Sequence, residues 1–315
     1  MMRSTTSPLV AADLAAIHSS IAVSGQAWPS LQPCTWKTLV DVVLDWGIIL
    51  LAAWGAFAMG RWAALVAVFA IGNRQRALGN LLHDAAHRNL SNRANVNDRT
   101  AHLFLAAPLF NSLTLYRKQH AKHHAWLGDP VSDPDFIPRV VNQGDGWFHA
   151  YARVLMDPTT WARAFFGHLV AKELTARRRL GVLLWWATYE ALLTVAVGIR
   201  FALLFVLLWM IARATVFHAI TTFREMTDHY GLDPRGIFPY TRDIPQRRLV
   251  SMLLHPHHNG YHLTHHLFPH VPYHRLPELH ARLEQLPIFA RRAVVCHAYF
   301  GGARAAVDGW GARHA

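Results

Sequence analysis

The chain has 315 residues, 52% of them hydrophobic and 16% charged, with a formal net charge of +12. Soluble proteins carry about 25% charged residues, so the balance points to bilayer-spanning segments; a nucleic-acid binder would gather its basic residues on polar elements, whereas here they alternate with long apolar runs. The two cysteines, Cys34 and Cys296, stand far apart and outside any CxxC arrangement, which excludes a disulfide framework, a thiolate iron site and a zinc ribbon.

In chain order, residues 1–37 are mixed and contain Pro and Ser, and are expected to form a cytosolic N-terminal arm. They lack the continuous apolar core and cleavage site of a signal peptide. Residues 38–59 (TLVDVVLDWGIILLAAWGAFAM) are long enough to cross about 30 Å of hydrocarbon as a helix. Asp41 and Asp45 fall near its entry end, where the interface can solvate them. Residues 61–82 begin as a second span and end polar, and with Gly60 and Arg61 at the join they read as a tight hairpin. Residues 101–115 are apolar but too short to span, and Pro108 interrupts them, so they are expected in the interface. A second hairpin covers 180–197 and 199–219, with Gly198 and Arg200 at its turn.

The expected fold is therefore an all-α integral membrane protein with two transmembrane hairpins, about four spans, and a cytoplasmic helical cap. Residues 38–290 form its main domain and 291–315 a C-terminal tail. The alternative, a soluble bundle, would have to bury four apolar segments. Lysine and arginine placement sets the orientation. The N-terminal arm carries Arg3 and Lys37, the 73–180 segment carries fifteen basic residues, and the chain after 220 carries eleven. The hairpin turns carry only Arg61 and Arg200, and Arg213 remains. Both termini and residues 73–180 are thus expected on the cytoplasmic side of an inner membrane.

The 22 histidines are clustered. His83 and His87 stand in HDAAH; His120, His123 and His124 in HAKHH; His262, His265 and His266 in HLTHH. On a helix, positions i, i+3 and i+4 share one face, so each box presents its imidazoles in one direction. Neutral imidazole suits iron, zinc, copper and nickel, and eight rings are about twice what one ion uses. HDAAH differs from the zinc-protease HExxH, whose glutamate is the general base: Asp84 is shorter, and a protease leaves both HxxHH boxes unexplained. A carrier that moves metal through a membrane would place ligands at mid-bilayer, whereas these boxes lie outside the spans.

The order HDAAH, HAKHH, HLTHH, interleaved with two membrane hairpins, resembles the membrane fatty-acid desaturase and hydroxylase superfamily. YRKQHAKHHAWLGDPVSDPD is similar to its second box with trailing acids, NGYHLTHHLFPHVPYHRLPELH to the third box, and REMTDHYG to a stretch supplying an extra histidine. The resemblance covers roughly residues 40–285. It implies that the eight boxed histidines bind two irons with O2 as co-substrate, that His229 is a ninth ligand, and that Asn259 holds a metal-bound water. Carboxylates often orient ligating histidines through the other ring nitrogen; Asp84, Asp133, Asp135, Glu225 and Asp228 are candidates, and Arg224 is a partner for one of them. His255, His257, His258, His270 and His274, crowded near the third box, and the isolated His102, His149, His168 and His280, are expected in surface or hydrogen-bonding roles.

The implied chemistry is hydrogen abstraction from an aliphatic substrate, giving an alkene, or an alcohol by oxygen rebound. The substrate is expected to be fatty-acyl or otherwise amphiphilic, with an amino-acid-derived metabolite as an alternative. The sequence shows no cytochrome b5 module, CxxC cluster or dinucleotide fingerprint, so the expected electron source is a separate ferredoxin, rubredoxin or cytochrome b5 type carrier, drawn to the basic cap.

Overall fold

A computed structural model describes residues 6–25, 31–140, 142, 144–246 and 248–311. Arg3, Arg247 and Arg313, counted above among the basic residues, lie outside the described residues, as do the two chain ends whose cytoplasmic side was expected. In chain order the helices begin with α1 (Pro8–Ser24), α2 (Thr35–Met59), α3 (Arg61–Ala86), α4 (Ala94–Thr100) and α5 (Leu113–Ala125). They continue with α6 (Trp147–Leu155), α7 (Pro158–Phe166), α8 (Ala176–Val197), α9 (Ile199–Ala212) and α10 (His218–His229). Five short helices follow: α11 (Ile237–Tyr240), α12 (Leu249–Leu254), α13 (His262–Leu267), α14 (Leu276–Leu283) and α15 (Pro287–Arg292). Among the described residues, regular strand is confined to β1 (Arg242–Asp243) and β2 (Val294–Val295), which pair in parallel.

The chain divides into two compact units. The first comprises Met1–Gln32, Arg117–Val154 and Phe223–Ala315; the second comprises Pro33–Tyr116 and Leu155–Thr222.

The second unit is built on apolar helices. α2, α8 and the continuous helical run Ile199–His229 are each long and apolar enough to cross a membrane. Their outward faces stay apolar: Leu51, Trp54 and Met59 on α2, Leu183, Leu192 and Val195 on α8, and Leu203 and Leu207 on α9 are exposed. Leaving such a side chain in water forgoes about 1.5–3 kcal/mol each, a cost that hydrocarbon removes. α3 matches the expected second span only in part. Its first half exposes Trp62, Leu65, Val66 and Phe69, whereas its second half buries Asn73, Gln75, Arg76, Asn80, His83 and Asp84. α3 is accordingly absent from the three span-like helices, because polar groups with internal partners replace its apolar surface. Gln75 donates to the Trp209 carbonyl (3.0 Å) and Arg74 pairs with Asp45 (2.9 Å). Residues 101–115 form a π-helical turn (Ala101–Ala106), a break and the start of α5, with Leu103 and Phe104 exposed.

A second π-helical stretch, Arg213–Phe217, joins α9 to α10. The buried Arg213 guanidinium donates to the carbonyls of Phe165 (2.6 Å) and Leu109 (2.9 Å) and lies over the Phe110 and Phe217 rings. Gly72 packs against this stretch.

In the first unit the N-terminal arm is a helix tied down by polar bonds. Ser7 N–H donates to the Ala125 carbonyl at the end of α5 (2.8 Å). The buried Asp13 carboxylate accepts from the backbone of Ile237 (2.7 Å) and Phe238 (3.2 Å) and from Arg292 (2.6 Å). The C-terminal segment is likewise packed: Trp310 is fully buried beside Phe223 and Tyr230, and Arg242 holds the carbonyls of Ala306 and Tyr230.

A Cβ on Gly72 would meet the Val216 Cβ at 2.6 Å, whereas one on Gly55 in α2 meets nothing within 4 Å. Gly72→Ala is therefore expected to destabilise the protein by about 1–3 kcal/mol through overpacking. Gly55→Ala is expected to be neutral or mildly stabilising, since Ala favours helix over Gly. Thermal melting of both variants in detergent checks the contrast.

Candidate metal centre

Three helices of the first unit bring seven histidines together. α5 carries His120, His123 and His124, α13 carries His262, His265 and His266, and His229 is the last residue of α10. The i, i+3, i+4 spacing places each triplet on one helix face. Six of the seven are buried; His124 is half-buried.

The rings sort into two groups. His123, His229, His262 and His266 each offer one ring nitrogen within 4.8 Å of the others. His262 Nε2 stands 2.9 Å from His229 Nε2 and 3.0 Å from His266 Nε2. In the other group, His124 Nε2 lies 3.0 Å from His120 Nε2 and 3.1 Å from His265 Nε2. The groups abut, with His124 and His266 stacked at 4.1 Å between ring centroids.

Such an arrangement has a definite chemical meaning. Two facing imidazole nitrogens can share one proton, but three or four converging on one point cannot all be satisfied by each other. Buried polar groups need partners, and a cation at the focus supplies one for every lone pair. Burial also holds the His266 pKa well below its ordinary value, reinforced by His124, His262, His123 and His229. The neutral form so favoured is the one that ligates metal. The donor set therefore fits imidazole-bound transition metal.

Orientation comes from the outer nitrogens. His123 Nδ1 meets Asp133 Oδ1 at 2.8 Å, and Asp133 is itself fixed by the backbone N–H of Gly128 and Asp135 (2.9 Å each). Burial lowers the His123 pKa, yet the Asp133 hydrogen bond and the charges of Asp135 and Asp133 outweigh it, leaving a net rise. His229 Nδ1 donates to the Tyr240 carbonyl (2.9 Å), which fixes its tautomer and leaves Nε2 to accept. α13, only six residues long, is pinned at its start: Asp243 accepts from Thr264 N–H (3.0 Å) and Thr264 Oγ1 (2.5 Å) and pairs with His280 Nδ1 (2.8 Å).

The remaining expected residues fall as follows. His83 and His87 belong to the second unit, at the end of α3, with ring centroids 5.5 Å apart; Asp84 between them is buried. Asp135 lies 3.9 Å from His123 with an exposed side chain, and Glu225 is half-buried on α10. Asp228 pairs with Arg224 (2.9 Å) and approaches His262. Asn259 Oδ1 accepts from Arg224 Nε (2.5 Å). His255 is buried between Thr227 (3.0 Å) and Tyr299 (2.9 Å), and His168 accepts from Ser112 N–H (3.1 Å). His102 and His149 are exposed; His257, His258, His270 and His274 belong to neither group of ring nitrogens.

Asp243 and the backbone acceptor at Tyr240 escaped sequence reasoning. TRDIP carries no spacing signal, and a carbonyl acceptor leaves no mark on residue type. His280 was visible only as an isolated histidine, because its partner is distant in sequence.

The profile of the fatty acid desaturase family matches residues 60–300. One relative, the dihydrorhizobitoxine desaturase of Bradyrhizobium elkanii, is 27% identical over 286 residues, covering 84% of this chain and 80% of that protein.

His229→Ala is expected to lose bound metal as severely as His265→Ala, since each removes a converging nitrogen. Loss of a ligand or its orienting partner costs about 10–100-fold in metal affinity. His257→Ala and His274→Ala are expected to keep most of it. Metal content of the four purified variants decides the assignment; full retention in His229→Ala removes His229 from the ligand set.

Proposed function

The chain belongs to the fatty acid desaturase family, and on that premise we propose that it is an O2-dependent oxidoreductase that introduces a double bond into an aliphatic substrate at a diiron centre. The observation that carries the reading is the convergence of two histidine groups in one unit. We assign His123, His229, His262 and His266 to one ion and His120, His124 and His265 to the other. The three-box resemblance adds His83 and His87 to the ligands of the two ions. Bound iron with O2 supplies the oxidising power needed to take hydrogen from an unactivated methylene.

The residues of the chain hold and orient. Asp133 fixes the His123 ring, the Tyr240 carbonyl fixes His229, and Asp243 fixes the start of α13. Burial of the imidazoles excludes water from the reacting position. The balance for desaturation is one O2, two electrons, two protons and two substrate hydrogens to two waters and one C=C bond. A separate ferredoxin, rubredoxin or cytochrome b5 type carrier would supply the electrons. Fatty-acyl and other amphiphilic substrates suit a chain with span-like helices. The name of the relative makes dihydrorhizobitoxine its substrate, which favours as second reading a small, amino-acid-derived metabolite. Hydroxylation on the same scaffold differs only in the fate of the substrate radical.

Purified protein is expected to carry two irons per chain and to recover activity on iron reconstitution. Mass spectrometry of metabolites from expressing cells is expected to show a product lacking two hydrogens; a product gaining one oxygen instead assigns hydroxylation. Activity with zinc alone overturns the redox reading.

The orientation follows from the basic residues: residues 73–180 on the cytoplasmic side of an inner membrane, Gly60–Arg61 and Gly198–Arg200 opposite. Single cysteines at 117–124 are expected to react with impermeant thiol reagents only from the cytoplasmic side. Labelling from the far side reverses the topology.

A further inference from the structure

Arg213 lies well inside the span-like run that begins at Ile199, about 21 Å along it by helical rise. It is only 1% exposed. Ionisable side chains at such depth are costly, are normally paired, and mark paths for substrates or ions. The function proposed above gives this one no task.

Its contacts leave its charge unanswered. Nε donates to the Phe165 carbonyl at 2.6 Å and Nη2 to the Leu109 carbonyl at 2.9 Å. The guanidinium also packs on the Phe110 and Phe217 rings. Among the described residues, none of these partners is an anion. Nη1 is buried and has no hydrogen-bond partner, although a guanidinium carries five N–H donors. The charge that bears on Arg213 is a like one, the buried Arg76 of α3. A second buried donor stands close by: Trp186 packs on the Phe110 ring at 5.5 Å, and its Nε1 has no partner either.

The surrounding backbone is held in unfavourable form. Phe110 has φ 58°, a region that bulky residues rarely adopt and that persists mainly where a site enforces it. Its carbonyl accepts from the His168 N–H at 3.0 Å. Arg213 itself opens a π-helical stretch, a distortion frequent at functional sites.

We propose that Arg213 anchors the substrate by a free carboxylate. The inference rests on the desaturase reading above and narrows its substrate to an aliphatic acid, rather than a thioester or ester of one. The physical reason is charge: a buried guanidinium without an anion is costly, and a planar carboxylate is the partner its in-plane donors match. Phe110, Phe217 and Trp186 supply apolar surface for the carbons next to the acid. The neighbourhood is within a substrate's length of the histidines of α3, since Arg76 precedes His83 by about 10 Å of helical rise.

The test is equilibrium binding of hexanoate, dodecanoate and octadecanoate, each against its methyl ester, to purified metal-free protein. Wild type is expected to bind at least one acid about 10–100-fold tighter than its ester, the range of a charge-assisted hydrogen bond. Arg213→Met is expected to abolish that preference. A second arm needs no variant: dodecanoate carrying a diazirine near its carboxyl end is expected to crosslink wild type at Phe110, Trp186 or Phe217. Equal affinity for acid and ester at every length overturns the inference. So does a preference that survives in Arg213→Met, or crosslinking confined to other segments. Because binding is read without metal, these failures leave the metal centre standing, and its own failure is read from metal content.

Discussion

Everything in the first unit is arranged around lone pairs that cannot satisfy one another. Six buried imidazoles and one half-buried imidazole point nitrogens at two foci, and where the ring proton sits on the outer nitrogen, as on His229 Nδ1, the inward nitrogen is an acceptor facing other ring nitrogens. A soluble or membrane core built for stability alone would avoid this, since each unsatisfied buried polar atom costs about 1–3 kcal/mol. On the proposed metal-centre reading, a cation at each focus would convert that liability into a set of coordinate bonds. Folding and metal binding would then be coupled, the free energy of ligation offsetting the cost of gathering the rings.

The scaffold shows how that cost is distributed. α5 and α10 are long enough to hold their histidines by ordinary helix geometry, but α13 has only six residues, too few to persist alone. Its stability is borrowed. Leu263 and Leu267 are buried in an apolar cluster with Phe238, Leu279 and Phe289. Asp243 satisfies the Thr264 N–H that the first turn would leave orphaned, and His280 braces Asp243 from α14. α1 contributes at one remove: Asp13 secures the loop carrying α11, whose Tyr240 carbonyl sets the His229 tautomer.

This division explains what could be read from sequence. The i, i+3, i+4 boxes were legible because helical spacing is local, so His120, His123 and His124 announce a shared face before any tertiary contact is known. The apolar runs were equally legible, and α2, α8 and the run from Ile199 appear where expected. The second half of α3 was not, because Asn73, Gln75 and Arg76 read as the polar end of a span, whereas the structure buries them. Burial of polar residues depends on long-range partners such as the Trp209 carbonyl. The packing of the N-terminal arm was illegible for the same reason: nothing in VAADLAAIH reveals that Asp13 will cap a segment 224 positions away.

The two carboxylates beside the His123 group then acquire distinct meanings from geometry alone. Asp133 acts through the outer nitrogen of His123, so it makes the ring more electron-rich and fixes its direction without approaching the focus. Asp228 approaches His262 Nε2 only to 3.6 Å and pairs with the Arg224 guanidinium at 2.9 Å. Asn259 Oδ1 accepts from that guanidinium, which holds it against the carboxylate. Asp133 thus bears on a ring of the group directly, whereas the charge of Asp228 is answered by Arg224 beside it.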